Sequence, residues 1–297
     1  KLLMTFLKDL SENKQAITLY KYNGNDLKVD ADIEISKNTK DSNFIHICFI
    51  DLETTGTHKK NDEIIEIAMK VIKIDKNTGE GLQAIAEYES FQDPGFPIPE
   101  EASLVNNITD EMVKDHQIDW SKVIEILNLS QLCVAHNAAF DRAFLDRKLD
   151  ESKNKVWACS INDIDWIERG FTNSKLELLA HWHGYYYNSH RAMYDVDAMI
   201  HLLVHPHYKT NKPLNELIQN ARIPQFRILV KFDYKKELVD IIKSKRYGFN
   251  GDTKEWSKII PENKLDKEKQ WLSENIYNGN FSGLVEKITL IDKYKNR

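Results

Sequence analysis

Hydrophobic positions are scattered over the first 43 residues and then arrive in blocks. Within the polar lead-in, residues 16–33 alternate about Asn23-Gly24, whose residues tolerate the positive φ of a tight hairpin turn, and predict a hairpin. Residues 44–53 (FIHICFIDLE) are a nearly continuous apolar run with β-branched and aromatic content, the pattern of a buried strand. A second strand is expected over 63–74 and a third over 84–91, closed by the loop signal Asp93-Pro94-Gly95-Phe96-Pro97. Helical spacing covers 110–127, with Thr109 as its capping candidate. Residues 133–135 form a short buried strand leading to Asn137. A helix departs there over 138–149, with Phe140 and Phe144 on its apolar side and Arg147 and Lys148 on its wet side. A strand candidate at 156–161 and helices over 175–182 and 192–203 follow, closed by His205-Pro206.

Three strands followed by alternating helices and strands imply a mixed sheet covered by helices on its faces. After Pro206 the pattern changes. Residues 214–223 read as a helix, 226–232 as a strand and 235–245 as a helix. A hairpin over 246–259 turns at Asn250-Gly251, and a last helix spans 265–277. The expected organisation is a lead-in (1–43), an α/β domain (44–206) and a small α+β domain (207–297). No internal repeat or low-complexity tract is present.

Composition supports a folded core: 41% of residues are hydrophobic and 29% charged. No apolar run approaches the length a bilayer demands, so no membrane span is expected. Cys48, Cys133 and Cys159 lie in apolar stretches without metal-type spacing, as suits buried, reduced thiols of a cytoplasmic protein. Met4 is read as the natural start, with Lys1–Leu3 preceding it, and the segment after it lacks the features of a signal peptide. The net charge of −5 conceals an asymmetry: residues 1–206 carry 22 basic and 34 acidic side chains, residues 207–297 carry 19 and 12. The basic part suits a phosphate backbone or a partner protein. Tyr247, Phe249 and Trp256 within it are read first as the core of the small domain, and second as surfaces on which bases stack.

The candidate chemistry lies in three segments. Asp51 and Glu53 end the first buried strand two residues apart, so the period-two backbone points both carboxylates to one face, where they can hold one cation. The turn Thr54-Thr55-Gly56 follows, with amides suited to a terminal sugar or phosphate. Asp141 falls in the first turn of its helix, where a carboxylate ordinarily stabilises the dipole. Here it follows His136-Asn137 at a strand end and adjoins Phe140, a core ring also placed to pack on a sugar or base. His190 and Asp195 lie five apart, about 140° on a continuous helix, so they would not share a face, whereas Asp197 would. If His190 precedes the helix, Asp195 is available instead, and spacing alone leaves both open. Oxygen-rich carboxylates suit hard divalent cations bridging phosphate oxygens, and a histidine beside them can take a proton from water.

The motifs DLETTG, HNxxFD and HRAxxD, in that order, resemble the exonuclease motifs of the DEDDh superfamily, DnaQ-like 3′→5′ exonucleases of the DNA polymerase III epsilon type, over residues 44–206. The resemblance implies Asp51, Glu53, Asp141 and Asp195 as ligands of two Mg²⁺ or Mn²⁺ ions and His190 as the catalytic base. The sister class needs Tyr four residues before Asp195, where this chain has Arg191. The implied fold is ribonuclease H-like, a mixed five-stranded sheet flanked by helices. The implied activity is hydrolysis of nucleic acid from a single-stranded or frayed 3′ end, with a DNA polymerase or repair protein as an expected partner. RNA trimming and a catalytically idle binding module are the alternatives. In one segment the chain departs from the family: Asn106 and Asn107 stand where the loop that touches the terminal base ends in His-Gly. The tail also resembles a C-terminal extension of some bacterial epsilon-like exonucleases.

Overall fold

The computed structural model describes residues 6–7, 15–29 and 43–295. The expected start at Met4 and the end of the predicted hairpin beyond Val29 lie outside them. Strand β1 (Tyr20–Lys21) is short. Strands β2 (Phe44–Thr54), β3 (Ile64–Asp75) and β4 (Gln83–Phe91) are an antiparallel meander. Helices α1 (Glu100–Asn106), α2 (Asp110–Val113) and α3 (Trp120–Asn128) lead to β5 (Leu132–Ala135), α4 (Ala138–Lys148), α5 (Asp150–Lys153) and β6 (Trp157–Cys159). Then come α6 (Leu176–Trp182), β7 (Tyr185–Tyr186), α7 (Ala192–Leu203) and α8 (Pro213–Ala221). The main sheet is ordered β4-β3-β2-β5-β6, with β5 and β6 parallel to β2. It is the mixed five-stranded, ribonuclease H-like α/β sheet, flanked by helices, that the motifs implied.

Strand alternation sorts the two faces. Cys48, Ile50 and Leu52 of β2 and Ile67, Met69 and Val71 of β3 form one core with Val123, Ile126 and Leu127 of α3 and Phe144 and Leu145 of α4. The opposite face carries Phe49, Asp51 and Glu53 opposite Lys70, Ala68 and Glu66. Helix α7 lies against that face, where Asp197 pairs with the buried Lys70. The three cysteines are buried and free, as expected. No helix among the described residues is long and apolar enough to cross a membrane.

Two predicted elements differ from those observed. Asn23-Gly24 does turn, with Gly24 at φ 70°, but β1 has no hairpin partner among the described residues. It pairs in parallel with β7, Tyr20 opposite Tyr185. A Cβ on Gly24 would collide with the Asp197 carboxylate, so glycine is required there for space as well as for φ. The helix predicted over 110–127 is two helices. Asp93 accepts the amides of Gly95 and Asp115, Asp115 takes φ 62°, and Asp119 caps α3 through the amides of Ser121 and Lys122.

The chain divides into two compact units, residues 1–220 with 294–297, and residues 221–293. The boundary expected at 207 therefore lies later. The reason is polar. Glu216 of α8 accepts the Asp165 amide at 2.7 Å and Arg169 Nε at 2.8 Å, while Asn215 and Lys212 hold the β3–β4 turn through the carbonyls of Asn77 and Gly79. Tyr294 returns to the first unit, donating to Asp163 at 2.7 Å. Redrawn this way, the second unit has 15 basic and 11 acidic residues, so the asymmetry is smaller than the expected boundary suggested.

The second unit contains β8 (Gln225–Val230), α9 (Lys236–Ser244), β9 (Gly248–Asn250), β10 (Glu255–Pro261), α10 (Leu265–Asn275) and β11 (Leu284–Ile288). Its antiparallel sheet is ordered β11-β8-β10-β9. The β9–β10 hairpin matches the Asn250-Gly251 expectation, whereas β11 was not predicted. Tyr247 and Trp256 are core residues here, while Phe249 is exposed on the edge strand, 4.9 Å from the Trp256 ring.

Glu216→Ala removes the acceptor for the Asp165 amide and the Arg169 guanidinium. A loss of about 2 kcal/mol is expected from the first unit, measured by urea unfolding. The transition of the 221–293 unit should not move, and a transition of the first unit that also stays put would mean that α8 is not held this way.

Candidate active site

Asp51 and Glu53 occupy the last turns of the β2 pleat, separated by Leu52, which points into the core. A register irregularity between Glu53 and Thr54 ends regular pairing with β3. Asp195, in the first turn of α7, approaches the same face: one oxygen each from Asp51, Glu53 and Asp195 lie within 4.8 Å of one another. Among the described residues this is the one group of three or more His, Cys, Asp or Glu so close together. Asp141, buried in the first turn of α4, accepts the Leu52 amide at 3.2 Å, between the two strand acids. It stands beside the three-oxygen group rather than within it.

Burial and mutual repulsion act together on these groups. Burial, reinforced by Asp195, Asp141, Glu53 and Glu66, holds Asp51 well above the ordinary carboxylate range. Glu53 is pushed up to about 8 by burial and by Asp195, Glu66 and Asp141, against a hydrogen bond from Asn106. Asp141 is pushed up to about 7, chiefly by burial. Burial raises Asp195 too, opposed by the Tyr187 hydroxyl and by His190.

His190 lies before α7, in the left-handed region at φ 64°, with its side chain exposed. The helical angle that separated it from Asp195 therefore does not apply. Asp195 accepts the amides of His190 at 2.8 Å and Arg191 at 3.2 Å, and the Tyr187 hydroxyl at 2.8 Å. Asp197 points elsewhere, onto Lys70, and burial raises it to about 6 against that lysine's pull. Of the two candidates, the structure brings Asp195 to the cluster.

Three residues to which the sequence pattern assigned no positive role complete this arrangement. Glu66, wholly buried opposite Glu53, accepts the Ala192 amide at 3.0 Å and Arg191 Nη2 at 3.0 Å. Arg191 also covers the Phe91 ring at 5.2 Å. Tyr187 braces Asp195. An acid on the same face of the meander as Asp51 and Glu53, within an otherwise apolar strand, was the available signal for Glu66, and the charge of Arg191 one residue after His190 supplied its counterpart.

The remaining candidates are placed as follows. Asn106 is buried at the end of α1, where its Oδ1 accepts the Ile108 amide at 3.0 Å and its amide donates to Glu53. Asn107 adopts φ 57°, a left-handed position that asparagine and glycine tolerate, which accounts for its standing where the family has glycine. The Thr55 amide, expected to face a ligand, instead donates to the Glu63 carbonyl at 2.9 Å, and the Thr54 hydroxyl donates to the Gly56 carbonyl at 2.6 Å. Gly56 is constrained by Asp62, whose carboxylate a Cβ would strike. The side chain of Asn137 is exposed and makes no cap hydrogen bond. Phe140 is half-buried, 4.9 Å from the Phe144 ring. His136 is a brace: it bonds Ser160 and the Ser174 carbonyl, and burial lowers it to about 4.

Residues 48–203, just over half of the chain, match the family RNase_T, described as exonuclease. The PolC-type DNA polymerase III of Oceanobacillus iheyensis is 31% identical over 189 residues, covering 59% of this chain and 12% of the polymerase. That of Bacillus subtilis is 31% identical over 169 residues, covering 52% and 11%. The chain thus spans about a tenth of the length of these relatives. Among solved structures, Exonuclease X in complex with a 5′-overhanging duplex DNA is 22% identical with a TM-score of 0.43, covering 59% of this chain and 98% of that one. With the residues of the three motifs brought together at the end of β2 and the match running through all of them, the chain belongs to the RNase_T exonuclease family, within the DEDDh superfamily.

Proposed function

We propose that the chain is a metal-dependent 3′→5′ exonuclease releasing nucleoside 5′-monophosphates from a single-stranded or frayed end, DNA in preference to RNA. The observation that carries this reading is the set of three carboxylate oxygens within 4.8 Å beside the exposed His190. The DNA preference rests on the PolC-type relatives, whose matched region is a small part of each. A replicative or repair polymerase is the corresponding partner.

The family implies divalent-metal chemistry, and the donor set fits it. All the ligand atoms are carboxylate oxygens, and their charges are otherwise poorly compensated at close range. Asp51, Glu53, Asp141 and Asp195 would hold two Mg²⁺ or Mn²⁺ ions. When bound, such ions acidify water and stabilise charge on phosphate and leaving oxygens. His190 accepts the proton of the attacking water. Asp195 fixes the His190 backbone through its amide, and Glu66 holds the Arg191 guanidinium and the Ala192 amide, so the chain that carries the imidazole is fixed on both sides of His190. Asn106 orients Glu53. Phe140, Asn137 and Gly56 are the residues assigned to the terminal nucleotide.

Hydrolysis of matched single-stranded DNA, mismatched duplex and RNA, each with and without EDTA, tests the reading. Shortening from the 3′ end that EDTA abolishes, fastest on DNA, is the expected result. Faster RNA trimming would replace the substrate assignment, and binding without turnover would leave an idle module.

Asp51→Ala should reduce turnover by at least about a hundred-fold, the scale on which one electrostatic partner of a transition state acts. Because it relieves repulsion, its melting temperature in EDTA should equal or exceed that of the parent. Near-parental rates would exclude this ligand set.

The raised carboxyls also set a pH dependence. Their folded values lie above the unfolded ones near 4, so the folded state retains protons that the unfolded chain releases. Without divalent ions, stability should therefore fall as pH rises from about 4 toward 8. Mn²⁺ should raise the melting temperature more at pH 8 than at pH 5, because protons compete for the same oxygens. Calorimetry at both values with and without Mn²⁺ measures this, and an equal gain at both would contradict it.

Asp195→Asn should be inactive yet folded. Asp197→Asn should retain turnover per folded molecule but lose about 1–3 kcal/mol, since the buried Lys70 loses its closer carboxylate and keeps only Glu87 at 3.2 Å. Inactivity confined to the Asp197 variant would reverse the assignment.

A further inference from the structure

A cavity of about 350 Å³ in the first unit lies apart from the acidic cluster and is lined by Lys59, Lys60, Arg147, Lys153 and Lys295, with Asp146 as its one acid. Asp146 is already engaged by Arg142 at 3.1 Å and by Ser152 at 2.7 Å. Glu63 and Asp150 pair with Arg147 and Lys153, so positive charge remains in excess. The contrast with its surroundings is sharp, because this unit as a whole holds 26 basic and 35 acidic residues.

Most of the cavity is built from two elements that also form the candidate site, with Lys153 of α5 and Lys295 completing it. Lys59 and Lys60 belong to the loop that leaves Gly56, and Ala143, Asp146 and Arg147 belong to α4, which begins at the site with Asp141. Arg147 fastens the loop to the helix, donating to the Lys59 carbonyl at 2.8 Å and the Asp62 carbonyl at 2.7 Å. A turn in which Asn61 and Asp62 both donate to the His58 carbonyl gives the loop its shape. Along α4, Phe140, Phe144 and Arg147 form one ridge: the two rings are 4.9 Å apart, and the guanidinium lies 5.3 Å from the Phe144 centroid. Asp141 and Arg147 are separated along the axis by roughly 9 Å, at 1.5 Å per residue. That is about three nucleotides of a stacked strand at 3.4 Å each.

We propose that this cavity binds phosphates of the substrate strand on the 5′ side of the scissile bond. The proposal rests on the exonuclease reading for the identity of the strand. An acidic catalytic unit repels a polyanion everywhere except at its metal centre. A basic cavity further along α4 gives the strand a second, metal-independent hold and fixes the direction in which it leaves.

The test uses the full chain carrying Lys60→Glu and Lys153→Glu, both exposed positions, with the melting temperature confirming folding. Binding of a fluorescent single-stranded dodecadeoxynucleotide is followed by anisotropy in EDTA over a range of salt. Kd should rise about ten-fold or more at low salt, and the slope of log affinity against log salt should flatten by about 0.7 for each phosphate that is no longer neutralised. In Mn²⁺, the ratio of kcat/KM for the dodecamer to that for the p-nitrophenyl ester of thymidine 5′-monophosphate, which lacks upstream phosphates, should fall comparably. Parental Kd, salt slope and ratio in the folded variant would overturn the proposal and leave an acidic protein as the cavity's partner. A parent chain that binds the strand and hydrolyses neither substrate would sink the exonuclease reading alone, with the binding comparison still deciding the cavity.

Discussion

Negative charge gathered at the end of one strand is the constraint on which the rest of the first unit depends. Asp51 and Glu53 come from β2, Asp141 from α4, Asp195 from α7, and Glu66 stands directly across from Glu53. Folding brings these acids out of water and toward one another, and both effects oppose ionisation. Such an arrangement survives only where the surrounding scaffold is stable enough to impose it. The central position of β2, between β3 and β5 and covered on both faces, provides that scaffold.

The compensation for this charge is distributed by chemistry. Backbone amides serve the acids that must remain available: Leu52 donates to Asp141, and His190 and Arg191 donate to Asp195. Full cations are set on acids outside the cluster, Arg191 on Glu66 and Lys70 on Asp197. A guanidinium or ammonium placed on Asp51 would neutralise it permanently, whereas amide dipoles orient a carboxylate without cancelling its charge. The same sorting explains why Asp195 and Asp197, two residues apart on one helix, have unrelated roles.

The main strands and the helix over Ala192–Leu203 were legible in the sequence because hydrophobic period and strand-end position are local properties. Period two alone paired Asp51 with Glu53. Asp141 and Asp195 were legible through motif order, since helical spacing favoured neither. Tertiary pairing was not legible: Asn23-Gly24 signals a turn but not that β1 joins β7 instead of folding back on its own neighbour. The break between α2 and α3 depends on Asp93, seventeen or more residues upstream of Asp110, reaching the Asp115 amide. Glu66 was hidden within an apolar run, where one acid reads as a solvated alternate position. The β11 strand, with few buried residues, carries too weak a pattern to stand out.

The parallel pairing of β1 with β7 bears on how the catalytic unit can be cut out of a longer polypeptide. The family match begins at residue 48, yet the amides of Tyr20 and Tyr22 donate to the carbonyls of Gly184 and Tyr186, and Tyr22 stacks on His201 at 4.1 Å. A fragment trimmed to the match would bare the backbone edge of β7 and the flank of α7 where Gly24 sits against Asp197. Open strand edges recruit other strands. Homology alone would thus draw the excision point inside the folded unit, and the trimmed piece would be prone to self-association through a surface that the intact polypeptide keeps covered.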